Sequence, residues 1–372
     1  ALPEFDGRII SVPISFKEEG NLDQTIGAEL RRNIPLPTRV AQVARLAKSW
    51  CTLRGTEHSE KRIAVLFNNY PTRNARVGNG VGLDTPESVI RLLRALEGAG
   101  YDLGEIPENG DELIHTLLAG CTQDDEFQTP ENLQATPEKL TPAAYAERFE
   151  RMPAARQEEM TAQWGAPPGS YMMTEGGMAI PGLRLGNIFV GIQPSRGFGV
   201  DTSAIYHSPD LPPTHYYLGY YQWITETFGA HAVIHVGKHG NLEWLPGKGI
   251  GLSDSCFPEI ALGSVPNIYP YIINNPGEGT QAKRRAHAVI VDHMIPAMTR
   301  AESYGDLIKL EHLADEYADA LTLDPSKCPL ISGKIIRLLE ESQIYRDLAY
   351  ERPPSEDEVE GFIEDFDGYL CE

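Results

Sequence analysis

Two short, almost continuous apolar runs constrain this chain more than any other feature. One is Ile63-Ala64-Val65-Leu66-Phe67; the other is Ala232-Val233-Ile234-His235-Val236, interrupted by a single histidine. A strand with one wet face alternates apolar and polar residues. A strand covered on both faces does not, and such strands belong to parallel sheets with helices above and below. After the first run comes a glycine-containing loop, then Asp84-Thr85-Pro86-Glu87, which opens a helix through Leu96. Asp84 or Thr85 can cap it, Pro86 suits the first turn, and Gly98 and Gly100 end it. The scheme repeats, with a strand from Gly186 to Gln193, an aromatic-rich helix from Thr214 to Phe228, and then the second run. The two leading strands also end alike, in Tyr70-Pro71-Thr72-Arg73 and Gln193-Pro194-Ser195-Arg196.

This order predicts an α/β fold, drawn as two parallel-sheet lobes with flanking helices around a central cleft. The first α/β lobe is expected over 1–165, with a polar surface excursion near 121–142. The second is expected over 170–345, after the stop Ala166-Pro167-Pro168-Gly169, with 346–372 as an acidic linker or the edge of a further domain. Minor expectations are a strand over Arg8 to Phe16, a helix over Pro35 to Leu53 and a charged helix over Ala144 to Trp164. Lys283-Arg284-Arg285 reads as the start of a helix, where basic residues oppose the macrodipole and hint at a bound anion or buried ion pair.

The formal net charge of −21 opposes nucleic-acid and anionic-membrane binding, both of which need a basic face. The five cysteines are scattered, without a CxxC pair, which predicts free thiols in a cytoplasmic setting. No stretch has the length of a membrane span or the pattern of a signal peptide. The opening at Ala1 without Met reads as part of something larger.

The candidate chemistry gathers where the second run ends. His235, His239 and Glu243 recur at intervals of four, with Gly237 and Gly240 freeing the backbone between them. Imidazole and carboxylate suit a borderline divalent metal, and strand ends are where open α/β sheets bind ligands. Arg73 and Arg76 flank Gly78-Asn79-Gly80-Val81-Gly82 and can clamp carboxylates. That loop lacks the register of a dinucleotide fingerprint, and Leu245-Pro246-Gly247-Lys248-Gly249 lacks the spacing and hydroxyl of a Walker A loop. Clustered aromatics from Tyr216 to Trp223 suit a large, flat, partly polar ligand, and His215 stands at the start of that helix. Asp254 and Cys256 add a carboxylate and a thiol just downstream.

On these residues the chain resembles the large subunits of tetrapyrrole metal chelatases, the CobN / magnesium chelatase H subunit family. The resemblance is carried by His-Val-Gly-Lys-His-Gly-Asn-Leu-Glu-Trp-Leu-Pro-Gly-Lys from His235, by Gly-Leu-Ser-Asp-Ser-Cys-Phe-Pro-Glu from Gly251, by Pro-Asn-Ile-Tyr-Pro-Tyr-Ile-Ile-Asn-Asn-Pro from Pro266, and by Ala-Lys-Arg-Arg ending at Arg285. It runs from Leu2-Pro3-Glu4 to Tyr369-Leu370-Cys371. Lys238, Asn241, Trp244 and Asn68-Asn69-Tyr70-Pro71 are similar to the aerobic cobaltochelatase branch; the magnesium branch generally has Thr, Ala and Phe at the first three positions. Family members are considerably longer, so this portion is expected to be inactive alone.

The resemblance implies a tetrapyrrole-binding, metal-inserting subunit, a ligase forming nitrogen–metal bonds. Its metal would be Co2+ and its ring hydrogenobyrinic acid a,c-diamide, in aerobic cobalamin biosynthesis. Mg-ATP would be used by a separate AAA+ ATPase subunit and a coupling subunit. His235, His239 and Glu243 would then deliver metal or abstract protons, with His215 and Asp254 as supporting metal ligands; base and ligand are not distinguished. Arg73, Arg76, Arg196, Lys238 and Lys248 would meet the ring's carboxylates, and Tyr216 and Trp244 its flat faces. Two alternatives stand beside this: a magnesium-inserting relative acting on protoporphyrin IX, and a non-enzymatic two-lobed tetrapyrrole-binding module. A zinc hydrolase is weaker, because the glycine-broken spacing does not match a helical HExxH site. The purified chain is expected to release no phosphate from ATP above background in a colorimetric assay. Turnover abolished by Lys248→Ala would show that the Pro-Gly-Lys loop had been misread.

Overall fold

The computed structural model describes residues 9, 11–18, 20, 22–29, 31–69, 74, 77–78, 80, 83–124, 128–197, 209–237, 240–272, 276–293, 306–342, 344–346, 348 and 350–371. The chain divides into two compact units, Ala1–Ile295 and Pro296–Glu372. At the centre of the first lies a six-stranded sheet of β1 (Ile63–Phe67), β2 (Gly182–Leu185), β3 (Ile188–Ile192), β4 (Ala232–Val236), β5 (Asn267–Ile272) and β6 (Val289–His293). Its spatial order is β6-β5-β4-β1-β3-β2. All neighbours run parallel except β2, which pairs antiparallel with β3 and closes that edge.

The mostly parallel α/β class with flanking helices is as the sequence predicts. The separation into lobes at 165–170 is corrected, because β1 and β3, placed by the sequence in different lobes, are neighbours. Ile63 pairs with Ile188 on one side and Ala232 on the other. The physical reason lies in β1 itself. All five residues are buried, so every backbone amide and carbonyl there needs a partner, and strands on both edges supply them.

Side-chain alternation sends the strands' residues to two separate cores. Ile63, Val65, Phe67, Val190 and Val236 meet α2 (Thr85–Gly98) and α3 (Gly110–Ala119) through Val89, Ile90, Leu93 and Leu113. Ala64, Leu66, Phe189 and Val233 share the opposite core with α4 (Pro142–Glu150), α5 (Ala154–Trp164) and α6 (His215–Gln222). The expected single helix over 144–164 is thus two, since Pro153 caps the start of α5. Asp84 is the cap of α2, accepting from the Glu87 amide. α6 runs on into a π-helical turn, Trp223–Thr227.

Other expectations also shift. The predicted strand over 8–16 appears as Ser15–Glu18, an exposed strand antiparallel to Arg32–Pro35. The excursion near 121–142 is not wholly a surface feature, for Cys121, Thr122, Gln123 and Asp124 are buried. α1 (Pro37–Gly55) docks through Arg39 and Gln42, which reach the 252–263 segment ending in α7 (Phe257–Leu262). Lys283, Arg284 and Arg285 lie in the last turn of α8 (Pro276–Ala286), not its first. There they complement the macrodipole, and the conflict disappears.

The second unit is helical: α9 (Asp306–Leu323), α10 (Cys328–Ser342) and α11 (Val359–Cys371). The tail 346–372 belongs to it, so of the two readings, acidic linker or edge of a further domain, the second is the one that fits. Ser355 and Glu358 form a capping box, and Val359, Phe362 and Phe366 recur at helical spacing and are buried. Among the described residues no helix is long and apolar enough to cross a membrane.

Gly191 shows how closely α6 approaches β3. A Cβ there would overlap the Tyr220 hydroxyl and lie 2.7 Å from Phe189 Cε1. Gly191→Ala is therefore expected to destabilise by about 1–3 kcal/mol through overpacking. Urea denaturation of the variant checks this, and an unchanged midpoint would show that α6 moves aside without cost.

Candidate active site

After β1 the chain crosses to α2 on one face of the sheet; after β3 it crosses to α6 on the other. The carboxyl ends of β1 and β3 therefore flank a topological switch point, where open α/β sheets hold their ligands. The residues that follow these strands and the adjacent β4 are polar and buried. They include Asn68 and Asn69 after β1, Gln193 and Arg196 after β3, and Asn241 and Glu243 after β4.

A chain of hydrogen bonds runs beneath this point, against α6. His235 pairs with Leu66 in register and so faces the α6 side. Its Nδ1 lies 2.8 Å from Asn267 Oδ1, and its Nε2 lies 2.9 Å from the Tyr221 hydroxyl. Asn267 donates its amide to the Ala286 carbonyl, which turns its oxygen toward the imidazole. This assigns the tautomer: Nδ1–H donates and Nε2 accepts from Tyr221. Tyr221 accepts in turn from Gln193 Nε2 at 2.7 Å, and Gln193 Oε1 accepts from the Asn241 amide at 3.0 Å. Tyr217 donates to Asn241 Oδ1 at 2.6 Å, and the Asn241 side-chain amide donates to the Pro194 carbonyl. Burial pushes His235 down to about 4, partly offset by its bond to Asn267, so the ring is neutral near pH 7. Burial likewise pushes Tyr217 and Tyr221 well above the usual phenol range, and the nearby Glu243 charge pushes both the same way.

Glu243 sits in a one-turn 3-10 helix, Leu242–Trp244, and is itself buried. Burial raises its pKa to about 7, against the opposing pull of a backbone amide and of the Arg285 charge. It can thus exchange a proton near neutrality, as a general acid or base requires. The surrounding backbone is held from three directions. Asn68 donates to the Gly237 carbonyl at 2.6 Å and to the Tyr269 hydroxyl at 2.8 Å. Tyr269 accepts from the Gly240 amide at 2.8 Å. Arg285 donates to the carbonyls of Glu243, Leu245 and Lys248. A Cβ at Gly240 would lie 2.9 Å from Glu243 Oε2 and 3.3 Å from the Tyr269 hydroxyl, so any larger residue here would displace the carboxylate.

The structure sorts the expected site residues. His235 bonds to Tyr221, a phenol that the Glu243 charge also reaches. Lys238 and His239, with Arg73 and Arg76, lie outside the described residues. His215 is corrected to a packing role: Nε2 meets the Gly165 carbonyl, Nδ1 meets Tyr145 Oη, and the ring packs on Phe149. Asp254 is exposed in the turn before α7 and takes no part in the buried cluster. His235 already uses both ring nitrogens, so ligating a metal would break its hydrogen bonds. Among the described residues no three His, Cys, Asp or Glu side chains gather to hold a metal ion. Tyr216 is a core residue, accepting from Gln123, and not a ligand wall. Arg196 is buried, with Nη2 3.3 Å from the Leu211 carbonyl. Trp244 and Lys248 are exposed on the turn and loop that carry Glu243.

Sequence reasoning missed Asn68, Gln193, Tyr221, Asn241, Asn267, Tyr269 and Arg285 as partners of the site. A signal existed for some of them: polar residues directly after the apolar strands are the ones a switch point buries. Asn267 and Tyr269 stand in a segment that carries the resemblance, but their place at the site is not readable from local pattern, because the edge on which β5 pairs with β4 is a tertiary outcome.

The chain matches the CobN/Magnesium Chelatase family over residues 1–372. It is 45% identical to the aerobic cobaltochelatase subunit CobN of Pseudomonas aeruginosa, over 100% of this chain and 29% of that protein. It is 33% identical to the magnesium-chelatase H subunit of Chlorobaculum parvum, over 86% of this chain and 24% of that protein. In structure it is similar to the catalytic subunit of cobaltochelatase from Mycobacterium tuberculosis, with a TM-score of 0.71 and 45% identity, covering 100% of this chain and 31% of that one. The chain thus spans less than a third of the length of these relatives.

The two shifted groups act on stability with opposite signs. Between its unfolded value of 6.5 and its folded value of about 4, His235 is protonated more readily in the unfolded chain. Its contribution is full above pH 6.5 and is lost as pH falls to about 4. Glu243 is held at about 7 against an ordinary 4.5, so keeping it buried and ionised costs about 3 kcal/mol above pH 7, relieved as pH falls to 4.5. Glu243→Gln is therefore expected to raise the urea midpoint at pH 8, with the gap to the parent closing toward pH 4.5. A gap that does not change with pH would mean that Glu243 titrates normally.

Proposed function

The chain belongs to the CobN/magnesium chelatase family, and on that premise we propose that it forms the part of a cobaltochelatase large subunit where metal enters the ring. The reaction we assign is insertion of Co2+ into hydrogenobyrinic acid a,c-diamide, within aerobic cobalamin biosynthesis. The identity of 45% to a cobalt-type subunit, against 33% to a magnesium-type one, favours cobalt. Mg-ATP is used by an AAA+ ATPase subunit and a coupling subunit, in keeping with the absence of a Walker A loop from this sequence.

Insertion replaces the one ionisable N–H proton of the corrin ring with a divalent metal, so that proton must leave as the metal–nitrogen bonds form. The observation that carries the reading is the buried Glu243 carboxyl, poised near neutrality at the strand ends. When ionised it accepts a ring proton; the low-dielectric surroundings strengthen its pull on that proton. His235, neutral and held at both nitrogens, keeps Tyr221 and the β4 end in place, and its metal-binding role is set aside. Co2+ is cargo, brought to the ring from solution or a neighbouring domain. Trp244 offers an exposed indole beside Glu243, suited to a flat macrocycle. Lys248, with Arg73, Arg76 and Lys238, meets the ring's carboxylates.

Glu243→Gln in the full-length protein is expected to leave ring affinity unchanged in an absorbance titration. Cobalt insertion, with saturating Co2+ and both partner subunits, should fall about 10²–10⁴-fold. The swap keeps size and hydrogen-bonding capacity but removes charge and basicity. Equal losses of affinity and insertion would assign Glu243 to anchoring the ring; an unchanged insertion rate would remove it from the mechanism.

A further inference from the structure

The loop that carries Glu243 has little regular structure of its own. Beyond the single turn Leu242–Trp244 it runs irregularly to α7, so its carbonyls lack the repeating partners a helix or strand would give. One side chain supplies partners to three of them. Arg285, buried in the last turn of α8, donates from Nη1 to the Glu243 carbonyl at 2.6 Å and from Nη2 to the Leu245 carbonyl at 2.7 Å. Its Nε donates to the Lys248 carbonyl at 3.0 Å. Three carbonyls spread along one loop thus converge on one planar guanidinium. Downstream, Arg39 bonds the Leu252 carbonyl and Glu259, holding the far end of the same loop.

An arginine is a costly way merely to fill a core. Burying a cation carries a desolvation penalty that an apolar side chain of the same volume avoids, and apolar replacements of buried charges are often neutral or stabilising. The guanidinium gives instead a fixed geometry: a rigid fork with donors in set directions, which neither the compact ammonium of lysine nor the amide of glutamine reproduces. One of its three contacts is the carbonyl of Glu243 itself. β5 and α8 together place three such groups, with Asn267 on His235, Tyr269 on Gly240 and Arg285 on Glu243.

We propose that Arg285 is a positioning residue for metal insertion, fixing the backbone from Glu243 to Lys248 so that the Glu243 carboxyl meets the ring in register. The inference rests on the role proposed for Glu243 above, and its test separates the two. In the full-length protein with its partners, Arg285→Met is expected to lower the insertion rate at saturating ring and Co2+ roughly 10²-fold, the scale of a small misplacement of a reacting group. Ring affinity should stay within about twofold, and Arg285→Lys should recover part of the rate. Amide hydrogen exchange in the 242–248 segment should speed up while exchange in β1 stays slow. In a Glu243→Gln background, Arg285→Met should cost nothing further, because the group it positions is gone. If the two losses multiply in the double variant, or if exchange at 242–248 is unchanged, Arg285 does not act through Glu243 and the inference is overturned. A fully active Glu243→Gln would overturn the functional reading and this inference with it. Should Arg285→Met fail to fold, Arg285→Lys carries the same cycle with Glu243→Gln and decides the question alone.

Discussion

The hydrogen bonds that hold Ile63–Phe67 between Ile188–Ile192 and Ala232–Val236 are the interaction on which the site depends. They set three strand ends side by side, and each end then releases its chain into the same polar region. Phe67 stands level with Ile192 and Val236, so Asn68, Gln193 and Gly237 emerge together. The Gln193 amide continues the ladder to the Phe67 carbonyl, and the Asn68 amide continues it to the Val236 carbonyl. A slip of one residue would turn every side chain of a strand to the other face. It would move His235 from the Tyr221 side to the α2 side and leave its nitrogens without partners. The two apolar cores make such a slip expensive, and so they fix the polar cluster as firmly as its own bonds do.

That cluster consists almost entirely of neutral groups bonded to one another, with the buried Asn68 Oδ1 left unpartnered among the described residues. Amides, phenols and one imidazole form a chain from the Pro194 carbonyl to the Ala286 carbonyl with each direction of donation determined. In a medium of low dielectric a satisfied chain of this kind is rigid, and an unsatisfied member is costly. Two charges stand at its edge, Glu243 and Arg285. The protein keeps the carboxyl buried near an arginine that directs a donor from each of its three nitrogens to loop carbonyls, while its charge still lowers the Glu243 pKa against burial. Destabilised side chains of this sort are where folding stability is given up for reactivity.

The legible part of the sequence was what depends on local pattern. The β1 and β4 runs, the Asp84 cap, the aromatic helix and the polar strand ends follow from apolar periodicity and turn chemistry. The illegible part was what depends on which strands pair. Placing β1 and β3 in separate lobes was reasonable for two strand-loop-helix repeats, yet the repeats share one sheet. For the same reason the sequence alone leaves His235 as metal ligand or base: a histidine at a strand end is ambiguous until the side on which Tyr221 and Asn267 approach is known. The basic triplet Lys283-Arg284-Arg285 misled because Pro276, which marks the true helix start, follows a turn-rich stretch. The bound anion or buried ion pair expected there is replaced, at Arg285, by backbone carbonyls. Tyr216 illustrates the commonest error, since an aromatic stripe at helical spacing is usually core.

The bonds that complete the site are long in sequence. Asn68 reaches Gly237 across 169 residues, and Arg39 reaches Glu259 across 220. Contacts so distant form only after much of the chain has been ordered, because loop closure must precede the energy they return. The polar cluster is consequently a late product of folding and has no local precursor: no single repeat, hairpin or helix pair contains it. A nascent chain exposes Glu243 and its neighbours as ordinary solvated residues until β5 and α8 have been made and docked. Proton affinity near neutrality is thus acquired only with the finished fold; until then Glu243 is an ordinary carboxylate, ionised at pH 7.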